Sequence, residues 1–246
     1  MAISNLEQFC QQFYAFLDEK PAISRLIDTG GSMLSELMSH KEWFGDILRK
    51  ILFDREFSES QKAGIWPNEI TLYRSPDRSF QVLSYIWGPY LSDTVHDHGS
   101  WGIIGSFLKP IGERKYTRLD DNKTEGYAEL KEVSSTVLQP GEITSVLPLN
   151  KGIHRMENRS DDIAITINVY GRNIRKGYIQ FFYPEDNAVA RVYPPKSLRE
   201  ALAIRAAGAL SAPWSEDILK KVLASDLPDH IRKEGEYSLA KLKSSL

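Results

Sequence analysis

Gly88-Pro89-Tyr90-Leu91-Ser92-Asp93-Thr94-Val95-His96-Asp97-His98-Gly99-Ser100-Trp101-Gly102-Ile103-Ile104-Gly105 is the stretch on which the reading of this chain turns. On a β-strand, residues i and i+2 face the same side, so the imidazoles of His96 and His98 can converge on one ion while Asp97 turns away. A third histidine, His154, stands in Gly152-Ile153-His154-Arg155-Met156-Glu157-Asn158, so three of the chain's five histidines fall into one ligand pattern. Placed on a neighbouring strand, His154 completes one face of an octahedron and leaves the opposite positions open for substrate and dioxygen. That arrangement suits an oxygen-activating iron.

Around this stretch the pattern is that of a β protein. From about Ile70 to Tyr183 the chain alternates with period two and is rich in β-formers. Ile70-Thr71-Leu72-Tyr73 and Phe80-Gln81-Val82-Leu83-Ser84-Tyr85-Ile86-Trp87 flank a Ser75-Pro76-Asp77 turn. Further strands fit Ser100 to Leu108, Glu113 to Thr117, Thr136 to Leu138, Ile143 to Val146, Ile163 to Tyr170 and Tyr178 to Tyr183. Gly88-Pro89 and Pro140-Gly141-Glu142 supply turns between them. Many short strands with regular turns predict a barrel or a double-sheet jelly roll.

Both flanks read as helix. Leu6, Phe9, Cys10, Phe13, Phe16 and Leu17 recur at helical spacing behind a Ser4-Asn5-Leu6-Glu7 capping box. Gly30-Gly31 reads as an interruption of a second helical stretch, and Trp43, Phe44, Ile47, Leu48, Ile51 and Leu52 mark a third. Helix returns from Ser197, then over Trp214 to Leu223 and Ile231 to Leu242. The expected division is an N-terminal helical segment packed on the barrel at 1–64, the β domain with the metal site at 65–190, and a C-terminal helical extension at 191–246. The tail helices either cover the barrel or join two copies as a homo-oligomer. Cys10, the sole cysteine, is expected to be an inert core residue. His40 and His230, in the helical ends, are expected at the surface.

The 246 residues carry 31 Lys and Arg against 33 Asp and Glu, a formal charge of −2. That balance gives no electrostatic footprint for nucleic acid or an anionic membrane. No stretch approaches the roughly 20 apolar residues of a membrane span, and the N-terminus lacks the form of a signal peptide. A cytoplasmic location and small-molecule partners are therefore expected. No glycine-rich strand-to-helix loop suggests nucleotide binding.

The two histidine segments together resemble the metal-binding motifs of the cupin superfamily. More narrowly, they are similar to those of the thiol dioxygenases, namely cysteine dioxygenase and the 3-mercaptopropionate dioxygenases. The likeness covers roughly residues 65 to 185, and Trp101-Gly102-Ile103-Ile104-Gly105 resembles the bacterial 3-mercaptopropionate branch. Most cupins place a glutamate ligand four or five residues after the second histidine, where this chain has Gly102 and Ile103. The resemblance thus implies Fe(II) held by three neutral histidines, His96, His98 and His154, with room for a thiolate on the metal. Without a negative ligand, the metal keeps more positive charge and a coordinating thiol deprotonates readily.

Further roles follow from the same resemblance. Thr166-Ile167-Asn168-Val169-Tyr170 occupies the position of the family's Ser-x-His-x-Tyr strand, and alternation puts Thr166, Asn168 and Tyr170 on one face. Tyr170 carries over as the phenol near substrate and oxygen. Thr166 keeps the hydroxyl, whereas Asn168 replaces a titratable group by an amide that only hydrogen-bonds. Ile103 stands at or beside the position of a cysteine that some members crosslink to the tyrosine, so no crosslink forms here. Arg74 in Leu72-Tyr73-Arg74-Ser75 resembles the arginine that holds the substrate carboxylate in cysteine dioxygenases, for which a planar guanidinium is suited. The 3-mercaptopropionate enzymes tend to place an arginine after the tyrosine strand, where Arg172 and Arg175 are the counterparts. Tyr73 and Trp101 either line the pocket or fill the barrel.

The expectation is a mainly β chain: a cupin double-stranded β-helix, or jelly-roll, barrel with helical additions at both ends. Its expected reaction is oxidation of a small carboxylate-bearing thiol, of the cysteine or 3-mercaptopropionate type, to a sulfinic acid by O2 at Fe(II). Two alternatives stay open. One is a three-histidine cupin dioxygenase that cleaves a carbon-carbon bond. The other is a non-catalytic cupin that senses a metal or a small ligand.

Overall fold

The computed structural model describes residues 2–61, 64–210 and 212–244, so the outer ends of the expected 1–64 and 191–246 segments lie outside the described residues. The first helices are α1 (Leu6–Asp18), α2 (Ile23–Met38), α3 (Glu42–Phe53) and α4 (Arg55–Ser60). The cap of α1 is displaced by one residue from the expected box. Asn5 Oδ1 accepts from the Gln8 backbone N–H at 3.0 Å, and Gln8 Oε1 accepts from the Ser4 N–H at 3.0 Å. Asn5 and Gln8 thus stand at the spacing of a capping pair. Cys10 is buried on the apolar face of α1, and burial pushes its thiol up to about 12, which keeps it protonated.

The expected interruption at Gly30-Gly31 does not occur, because α2 runs unbroken through both residues. They serve close approach instead. A Cβ on Gly30 would meet Ile103 Cδ1 at 2.7 Å and Phe13 Cε2 at 2.9 Å, and one on Gly31 would meet Ile143 Cδ1 at 2.1 Å. Gly30→Ala is therefore expected to destabilise the protein by about 1 to 3 kcal/mol through overpacking. That cost outweighs the roughly 1 kcal/mol that alanine offers a helix over glycine. Chemical denaturation checks it; a stabilised variant would show that the helix stands off the sheet.

The strands that follow are β1 (Glu69–Arg74), β2 (Phe80–Trp87), β3 (Gly102–Leu108), β4 (Ile111–Arg118), β5 (Leu130–Leu138), β6 (Ile143–Val146), β7 (Ile153–Glu157), β8 (Ala164–Gly171), β9 (Ile179–Tyr183) and β10 (Ala188–Val192). One antiparallel sheet has the order β1-β2-β8-β3-β6 and a smaller one β5-β4-β7, while β9 pairs with β10. Along the chain, β3 lies in the large sheet, β4 and β5 in the small one, β6 in the large, β7 in the small and β8 in the large. Such crossing back and forth is the winding of a double-sheet jelly roll.

Period two sorts the large sheet into two faces. Val82, Ile103, Ile167 and Val169 pack with Phe9, Phe13, Leu34 and Leu37 of α1 and α2. The opposite face places Leu83, Tyr85, Trp87, Ile104 and Tyr170 against Ile111, Leu138 and Met156 of the small sheet. Every residue of β8 is buried, as a central strand covered on both faces must be. The expectation of a mainly β chain needs correction, since helix (39%) exceeds strand (28%). The N-terminal helices cover the apolar outer face of the large sheet, and the three C-terminal helices supply the rest of the excess.

The chain divides into two compact units, one of residues 1–62, 66–174 and 180–190, the other of 63–65, 175–179 and 191–246. The second unit contains α5 (Pro195–Leu210), α6 (Ser215–Ala224) and α7 (Asp229–Ser244), around a core that includes Tyr193, Ile204, Leu219 and Ile231. Its buried Glu234 accepts from Arg191 Nε at 2.5 Å, Tyr193 OH at 2.6 Å and Arg205 Nε at 2.8 Å. His230 is not the surface residue expected. Its half-buried ring lies against Gly177, whose φ of +92° excludes most side chains. No helix among the described residues is long and apolar enough to cross a membrane.

Candidate metal centre

His96 and His98 do not sit on a regular strand, contrary to expectation. Their segment is extended, and His96 forms isolated bridges to His154 and Phe181. The His96 N–H donates to the His154 carbonyl at 2.8 Å and the His154 N–H returns the bond at 2.9 Å, which fixes His96 beside β7. The alternation itself survives. Asp97 turns away, and its Oδ1 accepts from the Gln180 N–H at 2.8 Å. The ligand atoms of His96, His98 and His154 all lie within 4.8 Å of one another, and the Nε2 atoms of His98 and His154 are 2.8 Å apart.

The far nitrogens of two rings are held. His96 Nδ1 lies 2.9 Å from the Thr94 carbonyl, and His154 Nδ1 lies 2.8 Å from Glu113 Oε1. A carbonyl only accepts, so His96 Nδ1 carries the proton and Nε2 keeps its lone pair. Burial pushes the His96 imidazole down to about 4. Burial likewise depresses His154, with the His96 and Lys115 charges adding to the effect. Neutral imidazoles are the form that binds a metal. The donor set therefore fits a divalent transition-metal ion, and among the described residues no carboxylate belongs to the cluster.

Beside the histidines lies a cavity of about 20 Å³, lined also by Trp66, Asn68, Tyr85, Trp87, Asp93, Ile104, Met156, Asn168 and Tyr170. That is room for about one water-sized species. The Tyr170 ring stacks on His98, with centroids 5.2 Å apart and planes at 20°. Its hydroxyl accepts from Asn168 Nδ2 at 3.1 Å, and burial raises the phenol well above its ordinary pKa, so it keeps its proton. Asn168 Oδ1 is buried without a hydrogen-bond partner, an acceptor that a ligand's donor would satisfy. Gly102 pairs with Tyr170 across the sheet. A Cβ there would fall 2.5 Å from Tyr170 Cε1, so the missing side chain makes room for the ring.

The cavity thus brings together His96, His98, His154, Asn168 and Tyr170. Thr166 shares their face, but its hydroxyl holds the Trp87 indole, accepting from Nε1 at 3.2 Å. Arg74, Gln81 and Tyr170 form one cross-strand row, which puts Arg74 two strand spacings, roughly 10 Å, from Tyr170. Arg74 is exposed and donates from Nε to Gln81 Oε1 at 3.3 Å. Tyr73 and Trp101 have the opposite parity and belong to the helix-covered face, not the cavity. Tyr73 lies 5.4 Å from Phe80 and Trp101 6.3 Å from Phe13, ring to ring. Arg172 is exposed and donates to the Asp77 carbonyl at 2.9 Å. Arg175 belongs to the second unit, where its guanidinium lies 4.8 Å above the Tyr178 ring.

Sequence reasoning did not single out Glu113, Trp66, Asn68, Tyr85, Asp93 or Met156. Tyr85 was within reach, since it has the parity of Leu83 on an alternating strand. Nothing local marks Glu113, which meets His154 only through the register of β4 with β7.

No protein-family model matches the chain. Among solved structures it is similar to the Cupin_2 domain of an XRE-family transcriptional regulator from Enterobacter cloacae, at 14% identity over 44% of this chain and 96% of that one, with a TM-score of 0.30. A cupin superfamily protein from Desulfitobacterium hafniense matches at 11% identity over 43% of this chain and 76% of that one, TM-score 0.30. The capsular polysaccharide assembling protein CapF from Staphylococcus aureus matches at 17% identity over 51% of this chain and 29% of that one, TM-score 0.32.

Proposed function

We propose that this chain is a cupin-type thiol dioxygenase that uses Fe(II) to convert a small carboxylate-bearing thiol and O2 into the sulfinic acid. The observation that carries the reading is the cluster of three converging imidazoles with the Tyr170 phenol stacked on one of them. When bound by His96, His98 and His154, Fe(II) supplies a redox-active centre with open positions at which thiol and dioxygen meet. The reaction is balanced: one thiol and one O2 give one sulfinic acid, with both oxygen atoms on sulfur.

The chain's own residues do the rest. Three uncharged ligands leave the positive charge that favours a thiolate over a thiol. Tyr170 accepts from Asn168, which leaves its own proton free to donate to a group beside His98. Trp66, Trp87 and Met156 crowd the cavity, so it admits a small substrate only as side chains give way, and bulk water stays out. Arg74, on the Tyr170 row, is the cation proposed to hold the carboxylate.

The test is iron-loaded protein offered cysteine, 3-mercaptopropionate, cysteamine and mercaptosuccinate, with oxygen uptake and product mass measured. One O2 is expected to disappear per carboxylate thiol, with a product heavier by two oxygen atoms. Arg74→Ala is expected to lower kcat/KM for those thiols by up to roughly fivefold, an exposed contact being weaker than a desolvated one. Cysteamine, without the carboxylate, should lose far less. Disulfide as the sole product would sink the reading; equal losses for both thiol classes would remove only Arg74.

A further inference from the structure

We propose that Glu113 is the positioning residue of the metal site, fixing the tautomer and donor strength of His154 without occupying a coordination position. The proposal rests on the three-histidine site as a metal site, and on nothing in the thiol chemistry.

Glu113 is 1% exposed, and both of its oxygens are engaged. Oε1 lies 2.8 Å from His154 Nδ1, and Oε2 accepts from Thr144 Oγ1 at 2.7 Å. Lys115 Nζ stands 3.6 Å from Oε2 and donates to the Ser145 carbonyl at 2.9 Å. Glu113 and Lys115 lie on β4, opposite Met156 and His154 of β7, whereas Thr144 and Ser145 belong to β6 at the edge of the other sheet. The carboxylate is therefore pinned from both sheets.

Two consequences follow. A carboxylate accepts, so the arrangement places the proton of His154 on Nδ1 and leaves Nε2 bare, facing His98 Nε2. Rotating the ring away would strand a buried carboxylate without its partner, which is strongly unfavourable. The negative charge also sits one hydrogen bond outside the ligand shell, where it strengthens His154 as a donor while the open positions stay open. His96 differs in degree, because its Nδ1 bonds the neutral Thr94 carbonyl at 2.9 Å and has a carboxylate oxygen, Asp93 Oδ2, only at 3.6 Å. His154 is thus the strongest of the donors whose far nitrogen is assigned.

The experiment titrates the full chain with Co(II) and with Fe(II) under anaerobic conditions, reading affinity, the Co(II) visible spectrum and the Tm with and without metal. Glu113→Ala should weaken binding by roughly 10- to 100-fold. Glu113→Gln keeps the shape and an acceptor, so it should recover part of that loss while shifting the Co(II) bands. Thr144→Val should move affinity in the same direction by a smaller factor. The metal-free Tm of Glu113→Gln should stay near that of the parent, while the Tm gain on adding metal shrinks, as linkage requires of weaker binding. Unchanged affinity and spectrum in both Glu113 variants would overturn the proposal. So would a metal-free Tm that falls as far as the metal-loaded one, since that marks a structural role. A parent chain that binds neither ion would instead overturn the metal site itself.

Discussion

His154→Ala is expected to lower the affinity for Fe(II) by more than about 100-fold, beyond the roughly 10- to 100-fold that an outer-sphere partner costs. Three ligands leave no redundancy, and His154 is tied to both of the others. Its backbone exchanges two hydrogen bonds with His96, its Nε2 faces His98, and its Nδ1 engages Glu113. Alanine keeps the backbone bonds of β7, so the strand should persist while the ligand is lost. While Glu113 Oε2 keeps Thr144, removing the imidazole also leaves Oε1 buried without its hydrogen-bond partner, which adds to the instability of the metal-free protein. Inductively coupled plasma measurement of iron after dialysis checks the expectation. Iron content equal to that of the parent would mean that the ion, if bound, sits elsewhere.

Gly102→Ala should cut kcat/KM by about 100-fold, the loss associated with displacing a reacting arrangement by roughly 1 Å. The added Cβ would stand 2.5 and 2.7 Å from two Tyr170 ring atoms and 2.9 Å from Val146 Cγ2. All three contacts are shorter than carbon atoms tolerate, and Tyr170 has little room to retreat within a buried face. The ring must therefore leave its stack on His98. No ligand atom comes from Tyr170, so bound iron should stay within about tenfold of the parent, in contrast with the His154 variant. Steady-state kinetics with metal analysis separates the two effects. A fully active Gly102→Ala protein would show that the Tyr170 position does not matter to turnover.

The parts of the molecule that sequence could show are those with a local period. His96, His98 and the strand Phe80 to Trp87 were readable because alternation alone assigns their faces. The strand expected at His154 has no bounds legible in the sequence, because Ile153-His154-Arg155-Met156-Glu157 carries polar residues on both faces, with His154 and Glu157 both buried. The length of β5 was underestimated for a related reason, its middle being exposed and polar. Gly30-Gly31 misled because a glycine pair carries the same signal whether it breaks a helix or lets one approach a sheet. Trp101 and Tyr73 admit two readings in the sequence, and register decides between them by parity, each lying one residue from a position on the Tyr170 row, Gly102 or Arg74. The Glu113 to His154 contact joins residues 41 apart in sequence and depends on register, a quantity that no local pattern encodes.

The most direct test of the central claim is turnover of 3-mercaptopropionate or cysteine by the iron-loaded chain under isotopically labelled dioxygen, with the sulfur product analysed by mass. The account predicts a sulfinic acid carrying label in both oxygen positions, and none formed by the His154→Ala protein treated identically. A product without label, or label incorporated equally by the His154→Ala protein, would contradict it.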